Sequence, residues 1–556
     1  MSTINPPMRR CGAVLPLLII LLLPRQAALS QVPDDDEYLR KLSHGLELLG
    51  EVYRMVVEKH AGAVDPLTLA ESGIKGMLGG LDPYSTYIAA LGEANAIEGT
   101  RMEIGVDVEK VEGGMRIVEI VAESPAERSG LRIGDVIRTV DGAAIEPHTA
   151  HRLYEMLDGE EGSEILIGIE RPAATGSSPH LIAVARAPIR RGSLGYAGML
   201  NDDIIYLDLD RFGDNAGSLL RSELLRLGRY DRRPSDVAGV ILDLRGNSGG
   251  IIDEAVEVAA AFLPQGSIVV STVGRSEEEK QIYKAQQGAV LPGAHVVVLV
   301  DSGSASAAEI VAAALQDYDA AVIVGAPTVG KGLVQTVYGL PLDASLRLTT
   351  SWYVAPSGRS LQRRGLPVEL VPDSLLGIHR TGAGRDVPGG SGVVPDTLLP
   401  AFAHGALLPR LERSRIFGDY ADTIAGGIPE EATEIVIDEA TMAAFERAAL
   451  GRLERIERER GALHLLDSLH DARGSGDERI EAAWSELARA LTAADRAAFA
   501  TLRPEIERRL HHEVERRLLT RRERDAHRIA QDPGVIAAIA LLRDHRRYQK
   551  IVDGER

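Results

Sequence analysis

The chain has almost no cysteine, and this scarcity excludes several kinds of chemistry. Its 556 residues include one cysteine, Cys11, which lies at the edge of an apolar N-terminal segment. If that segment is removed, the mature protein has no thiol. We therefore expect no disulfide, no cysteine nucleophile and no cysteine metal site.

Positive charge is also in short supply. The formal net charge of -19 argues against a nucleic-acid partner, because phosphate binding needs a concentrated basic patch. The basic residues are mostly arginine, and the chain has only eight lysines. Between residues 285 and 549 the only lysine is Lys331. The remaining composition, 45% apolar and 26% charged, is typical of a globular protein.

The N-terminal apolar run is too short to predict a membrane-spanning helix. It covers residues 12–23, well below the roughly twenty residues that a span requires. Arg9 and Arg10 precede it, and small residues follow it up to Ser30. This layout is typical of a secretory signal peptide over residues 1–30, with an uncleaved anchor as the alternative. We therefore expect export to the periplasm or cell envelope.

The rest of the chain changes character along its length, which predicts several domains. Residues 31–92 have helical periodicity, and residues 93–187 have short strand patterns with glycine turns. Residues 188–400 contain unbroken apolar, β-rich runs separated by helical segments, which suit an α/β sheet covered on both faces. Residues 401–556 contain Arg- and Glu-rich helical patterns only.

A serine lies where a predicted strand gives way to a helix. In "DSGSASAAEI", residues 301–310, Ser306 occupies the expected helix start. Unpaired N–H groups and the positive end of the helix dipole lie there, and they stabilise an oxyanion. Serine is also a common N-cap, so this stretch alone does not establish catalysis.

A catalytic serine needs a base. The α/β region holds two histidines, His295 and His379, and neither lies in a recognisable constellation. Arginine cannot act as the base, but lysine can if its charged form is destabilised. Lys331, in "TVGKGLVQTV", is therefore the candidate, although a surface lysine is the alternative. Strand alternation predicts that Gln335 faces the same way and holds the neutral amine.

A third segment, "VILDLRGNSGG" at residues 240–250, predicts a buried strand that ends in a glycine turn. Gly249 and Gly250 have no side chains, so their backbone can approach a substrate carbonyl closely. Together with the N–H group of Ala307, they are candidates for an oxyanion hole.

Five segments together resemble one family. "LDPYSTYI", "LDLRGNSGG", "GSASAAEI", "GKGLVQ" and "LRLTTSWYVAPSGRSLQ" follow in the order seen in the carboxyl-terminal processing proteases, which are S41 serine peptidases. The interval of 25 positions from Ser306 to Lys331 is also similar. The resemblance implies a crotonase-like α/β protease core with no cofactor or metal. It implies that Ser306, not Ser304, is the nucleophile, that Lys331 is the general base and that Gln335 orients it.

The resemblance also implies that residues 93–187 form an inserted PDZ domain. Such a domain binds a protein or peptide substrate by its C-terminus. Backbone N–H groups near Ile104, Gly105 and Val106 would bind the terminal carboxylate.

Three other functions fit the sequence less well than a serine protease does. A catalytically inactive PDZ scaffold has no physical reason to keep Ser306, Lys331 and Gln335 together. A crotonase-like acyl-CoA enzyme would not need a signal peptide or a PDZ domain. A metallopeptidase is disfavoured because "LHHEVE", at residues 510–515, lacks the H-E-x-x-H spacing.

The C-terminal segment, residues 401–556, is assigned to packing or assembly. Its apolar residues recur at helical spacing. They form two sets: Met442, Phe445, Ala449, Leu453 and Ile456, and Leu502, Ile506, Leu510, Val514 and Leu518. Pro504 suits the first turn of the second helix, and Asp532 suits an N-cap. These faces are expected either to pack within the chain or to contact a second subunit or an adaptor protein.

Overall fold

The computed structural model describes most of the chain from residue 35 to residue 555. The described residues are 35–88, 101–121, 124–145, 150–173, 176–189, 192–229, 237–275, 280–342, 344–365, 371–399, 407–428, 435–460, 478–519 and 521–555. The predicted signal peptide lies outside them. The chain divides into two compact units, with the boundary after Met77.

The described residues form fourteen helices and twenty-one strands. The helices are α1 (Asp35–Lys59), α2 (Pro66–Gly79), α3 (Pro125–Arg128), α4 (Ala150–Leu157), α5 (Ala216–Arg229), α6 (Ile252–Ala260), α7 (Ala307–Asp317), α8 (Leu407–Arg413), α9 (Ile416–Ala425), α10 (Glu439–Arg460), α11 (Glu478–Leu518), α12 (Arg521–Gln531), α13 (Pro533–Arg543) and α14 (His545–Val552). The strands are β1 (Thr86–Ile88), β2 (Arg101–Glu103), β3 (Val106–Val111), β4 (Gly114–Ile120), β5 (Val136–Val140), β6 (Ala143–Ala144), β7 (Glu164–Ala173), β8 (Gly176–Ala185), β9 (Ala187–Ile189), β10 (Leu194–Leu200), β11 (Ile204–Leu209), β12 (Gly239–Asp243), β13 (Ile268–Gly274), β14 (Gln281–Lys284), β15 (Val296–Val300), β16 (Val322–Gly325), β17 (Leu333–Gly339), β18 (Ser345–Val354), β19 (Ile378–Arg380), β20 (Asp386–Pro388) and β21 (Thr397–Leu398).

The described residues of the first unit are mainly helical, as predicted, and contain α1 and most of α2. Among the described helices, none has the length and apolar character that a membrane crossing requires.

The glycine-turn region folds as a small β domain. Its main sheet has the strand order β3-β4-β5-β7-β8, and β6 is added beside β5. Alternate residues of these strands, among them Ile117, Ile137 and Ile167, point into one apolar core. Short α3 begins at Ser124, whose hydroxyl accepts a hydrogen bond from the N–H group of Glu127 at 3.3 Å.

A six-stranded sheet forms the centre of the α/β region. Its order is β10-β11-β12-β15-β16-β21, and every pairing except β10 with β11 is parallel. Strands β12 and β15 are buried along their whole length, which explains their uninterrupted apolar sequences. Helices α5, α6 and α7 cover one face of this sheet.

The C-terminal helices cover the opposite face. Val535, Ala538 and Leu542 of α13 pack in one cluster with the sheet residues Ile241 and Val297. The side chain of Asp532 accepts a hydrogen bond from the N–H group of Val535 at 2.9 Å, as expected of an N-cap. The last three helices of the chain, α12 to α14, therefore form a third layer of the core.

The other apolar faces of this segment pack against each other. Helices α8 to α11 share one buried cluster that contains Phe445, Leu453, Ile506 and Leu510. Of the two expectations for these faces, packing within the chain is what the structure contains, while assembly and adaptor binding stay predictions. The prediction for Pro504 is wrong, because α11 continues through it. Phe499 and Ile506, on either side of the proline, are both buried in this cluster.

Ion pairs join the small β domain to the C-terminal segment. Arg116 on β4 pairs with Asp419 and, at 3.6 Å, with Asp422, both on α9. Arg516 on α11 pairs with Glu119 on β4 at 2.7 Å. We call these five residues the clamp. It fixes this domain to α9 and α11, which pack in one buried cluster with α8 and α10.

The packing of α13 can be tested with two adjacent residues. Val535 is fully buried against the sheet, whereas Ile536 is 52% exposed. Val535→Asp should lower the free energy of unfolding by about 3 kcal/mol or more, because it buries an unpaired carboxylate. Ile536→Asp is the matched control and should change it by less than about 0.5 kcal/mol. Equal effects in urea unfolding would show that α13 is not a layer of the core.

Candidate active site

Ser306 lies at the start of α7, as predicted. Its backbone has φ 56° and ψ −112°, a conformation that is sparsely populated for residues other than glycine. The side chain is partly exposed, whereas the helix behind it is buried. A strained, partly exposed serine at the start of a buried helix is a feature of many functional sites.

A buried carboxylate joins the backbone of Ser306 to that of Lys331. Glu309 is fully buried, and its Oε2 accepts the N–H groups of Ser306 at 2.9 Å and Lys331 at 2.8 Å. Its Oε1 accepts the N–H group of Gly330 at 2.7 Å and the hydroxyl of Thr328. Burial raises the pKa of Glu309, and these hydrogen bonds oppose the rise. The sequence analysis missed Glu309, although the S-x-x-E spacing from Ser306 is a capping-box signal.

Lys331 has surroundings that favour its neutral form. Burial lowers the pKa of Lys331, and the positive charge of Arg347 lowers it further, while Glu309 acts in the opposite direction. The amine lies 5.2 Å from the centre of the Tyr84 ring. A half-buried lysine of this kind loses its proton more readily than an exposed one, so it is suited to act as a base.

Gln335 makes a different contact from the predicted one. Its Nε2 donates a hydrogen bond to the backbone oxygen of Tyr84 at 2.8 Å. A register shift between Val334 and Gln335 interrupts the alternation on which the shared face with Lys331 was argued. The role of Gln335 in holding the amine stays a prediction.

Tyr84 belongs to the "LDPYSTYI" segment, whose role the sequence did not reveal. Asp82 accepts hydrogen bonds from the N–H groups of Tyr84 and Ser85 at 2.7 and 2.8 Å. The hydroxyl of Ser85 accepts the N–H group of Thr349, on β18, at 3.1 Å. This turn places Tyr84 beside both Lys331 and Gln335.

The two glycines after β12 fit closely around the nucleophile. Gly249 has φ 105°, and a β-carbon on it would lie 2.8 Å from Cβ of Ser306. A β-carbon on Gly250 would lie 2.2 Å from the oxygen of Phe212. Only glycine fits either position. The N–H group of Gly249 donates to the side chain of Asn247 at 2.9 Å, so an oxyanion hole at Gly249, Gly250 and Ala307 stays a prediction.

Ser304 has a structural environment, unlike Ser306. It is fully buried, and its hydroxyl donates to the oxygen of Leu244 at 2.7 Å. The same hydroxyl accepts the N–H group of Asp301 at 3.0 Å. These bonds tie the serine loop to the end of β12.

The predicted carboxylate-binding loop lies between β2 and β3. The backbone oxygen of Ile104 accepts a hydrogen bond from the N–H group of Ala126 at 2.9 Å, and that of Gly105 accepts one from the N–H group of Val121 at 2.9 Å. The side chains of Ile104 and Val106 are buried in the domain core, so only backbone groups of this loop remain for a ligand. Their binding of a carboxylate stays a prediction. In the described part of the chain, no group of three His, Cys, Asp or Glu side chains is arranged to hold a metal ion.

Two family descriptions match the chain. "PDZ domain" matches residues 116–171, within the small β domain, and "Peptidase family S41" matches residues 203–372, within the α/β region. The second match includes Ser306, Lys331, Gln335 and both glycines.

Related proteins match over a longer stretch. A carboxy-terminal-processing protease of Bartonella bacilliformis is 34% identical over 335 residues, which are 60% of this chain and 76% of the relative. A probable CtpA-like serine protease of Staphylococcus haemolyticus is 28% identical over 62% of this chain and 66% of the relative. The solved structure of a photosystem II D1 C-terminal processing protease covers 64% of this chain and 87% of its own, at 23% identity and a TM-score of 0.37. On the sequence matches, the chain belongs to the carboxy-terminal-processing proteases of peptidase family S41 and carries a PDZ domain.

Proposed function

We propose that the protein is a serine endopeptidase whose catalytic dyad is Ser306 and Lys331. The observation that carries the proposal is the carboxylate of Glu309, which accepts the backbone N–H groups of both residues. This link holds the backbones of the strained serine and the half-buried lysine close together, which supports the proposal. The lowered pKa of Lys331 supports it further, because an inactive scaffold or an acyl-CoA enzyme has no need of a neutral amine there.

The chemistry follows the usual course of acyl transfer. The neutral amine of Lys331 takes the proton from the hydroxyl of Ser306, and Oγ attacks the carbonyl carbon of the scissile peptide. Backbone N–H groups at Gly250 and Ala307 receive the oxyanion, joined by that of Gly249 once it leaves Asn247. The ammonium then protonates the leaving amine, and water hydrolyses the acyl-enzyme with Lys331 again as base.

The substrates are proposed to be exported proteins that the PDZ domain captures by the C-terminus. The signal-peptide pattern of residues 1–30 supports export to the periplasm or cell envelope. The protease processes or degrades these proteins there, without a cofactor. Self-association and an adaptor protein remain part of the proposal.

The two serines provide the first test. Ser306→Ala should abolish cleavage of an unfolded protein substrate without lowering stability. Ser304→Ala should still cleave, but its free energy of unfolding should fall by about 1–3 kcal/mol because Leu244 loses its buried donor. Mass spectrometry of the products and urea unfolding measure the two effects. An inactive Ser304 variant beside an active Ser306 variant would reverse the assignment.

The pH dependence tests the base. The rate should rise with pH through one ionisation below the ordinary lysine value, because only the neutral amine accepts the proton. Arg347→Gln removes a neighbouring positive charge, so it should raise the pKa of Lys331 and move the midpoint to higher pH. Arg380→Gln, at an exposed position with 75% of the side chain accessible, is the control and should leave the midpoint unchanged.

Lys331→Arg keeps the charge but cannot supply a neutral amine, so it should be inactive.

If the midpoint of the pH profile stays in place or falls in Arg347→Gln, the group that titrates is not Lys331.

The substrate's C-terminus provides a third test. Two copies of one peptide, one with a free carboxylate and one amidated, should differ in cleavage rate, with the amide slower. The difference should appear in KM more than in kcat, because the PDZ domain binds away from the scissile bond. Equal rates would remove C-terminal recognition from the proposal and leave the dyad untouched.

A further inference from the structure

We propose that Tyr154 limits how tightly the PDZ domain binds a peptide, because its hydroxyl occupies a backbone N–H group of β3 that an added peptide strand would use. A substrate that pairs with β3 must displace this hydroxyl. The inference rests on the proposed function, since it concerns capture of a substrate by its C-terminus. It goes further by naming the residue that competes with the substrate backbone.

The first observation is that β3 has a free edge. It lies at the end of the main sheet of its domain, with β4 as its neighbour. Val108 lies opposite Ile117 in this ladder, and the N–H group of Ile117 donates away from β3, to the backbone oxygen of Asp135, at 2.8 Å. Val108 and Ile117 are therefore a pair without mutual hydrogen bonds, so the N–H group of Val108 points to the free edge.

The second observation is that this donor is already occupied. The N–H group of Val108 donates to the hydroxyl of Tyr154, on α4, at 3.3 Å. A peptide added as a strand would lie about 4.8 Å from β3 and would place a carbonyl oxygen about 2.9 Å from the same nitrogen. The two oxygens cannot share this position. The peptide bond would be the shorter one, so the peptide can replace the hydroxyl.

The packing of α4 indicates how the hydroxyl leaves. Leu153 and Leu157 are fully buried in the core of the domain, whereas Tyr154 is only partly buried against it. Arg186 also donates to the backbone oxygens of Met156 and Leu157, at 3.1 and 2.8 Å, and so holds the end of the helix. Displacement therefore requires rotation of the Tyr154 side chain and not movement of α4.

The contact lies beside the proposed carboxylate site but is separate from it. Val108 is two residues beyond Val106, where the proposed site ends. A peptide whose carboxylate lies at that site would therefore bring an inner backbone carbonyl, and not its terminal carboxylate, to Val108. Tyr154 thus opposes pairing of the peptide strand and leaves binding of the carboxylate unaffected.

The test is Tyr154→Phe, which keeps the ring and removes only the hydroxyl. Binding is measured by fluorescence anisotropy on the full chain carrying Ser306→Ala, with two fluorescein-labelled copies of one peptide, one with a free carboxylate and one amidated. We expect the Kd of each copy to fall about 2- to 10-fold, the effect of one net neutral hydrogen bond. The ratio of the two Kd values should not change, because the hydroxyl does not compete with the carboxylate.

Tyr318→Phe is the matched control. The hydroxyl of Tyr318 accepts the N–H group of Ile268, at the start of β13, at 3.0 Å. This variant loses the same kind of contact outside the PDZ domain, so neither Kd should change. Thermal unfolding of both variants reports any general damage.

The inference is overturned if Tyr154→Phe leaves both Kd values unchanged, if it raises them, or if Tyr318→Phe lowers them equally. A rise would mean that the hydroxyl contacts the peptide. Equal Kd values for the two copies would remove C-terminal recognition, while a fall of both in Tyr154→Phe would still support competition at β3. If neither copy binds with or without the hydroxyl, the inference fails together with peptide capture by the PDZ domain.

Discussion

The site depends on one buried carboxylate. A charged group out of water is costly unless hydrogen bonds surround it, and Glu309 has four of them, from Ser306, Thr328, Gly330 and Lys331. Three of the donors are backbone N–H groups, so the carboxylate fixes the chain path and not only side chains. The strained backbone of Ser306 and the position of the lysine loop are therefore set by the same contact. If either the serine segment or the lysine loop lost its position, the carboxylate would lose hydrogen bonds. The order of each segment therefore depends on the order of the other.

The C-terminal segment connects the region around this site to the rest of the second unit. Arg245, which follows β12, pairs with Asp243 at 2.6 Å and with Asp532 of the C-terminal segment at 2.9 Å. The chain continues from Arg245 into the glycine turn beside Ser306. The clamp links two earlier helices of this segment, α9 and α11, to the PDZ domain through Arg116 and Arg516. The loop of the predicted oxyanion hole, the central sheet and the PDZ domain thus all contact parts of the C-terminal segment.

Much of this organisation could be predicted from the sequence, and particular residues show why the rest could not. The β-rich apolar runs predicted the sheet because strands buried on both faces need no alternation. Ser306 and Lys331 stood out through a helix-start pattern and through the scarcity of other bases. Tyr84 did not, because its contacts are with Lys331 and Gln335, which are distant in sequence. The hydrogen bond from Gln335 to Tyr84 was not predicted either, because a register shift in the ladder leaves no clear mark in a single strand.

The sequence by itself determined which chemical groups are present and where local structure begins and ends. The N-cap at Asp532, the helix start at Ser306 and the side-chain-free turn at Gly249 and Gly250 all follow from interactions within a few residues. The tertiary structure alone decided what each apolar face covers and which buried polar groups meet. The sequence pattern around Val535 would equally suit contact with a second subunit. Val535 packs within the chain because the central sheet has an apolar face for it to cover. Local hydrogen bonds depend on neighbouring residues, whereas burial depends on which distant surfaces are complementary.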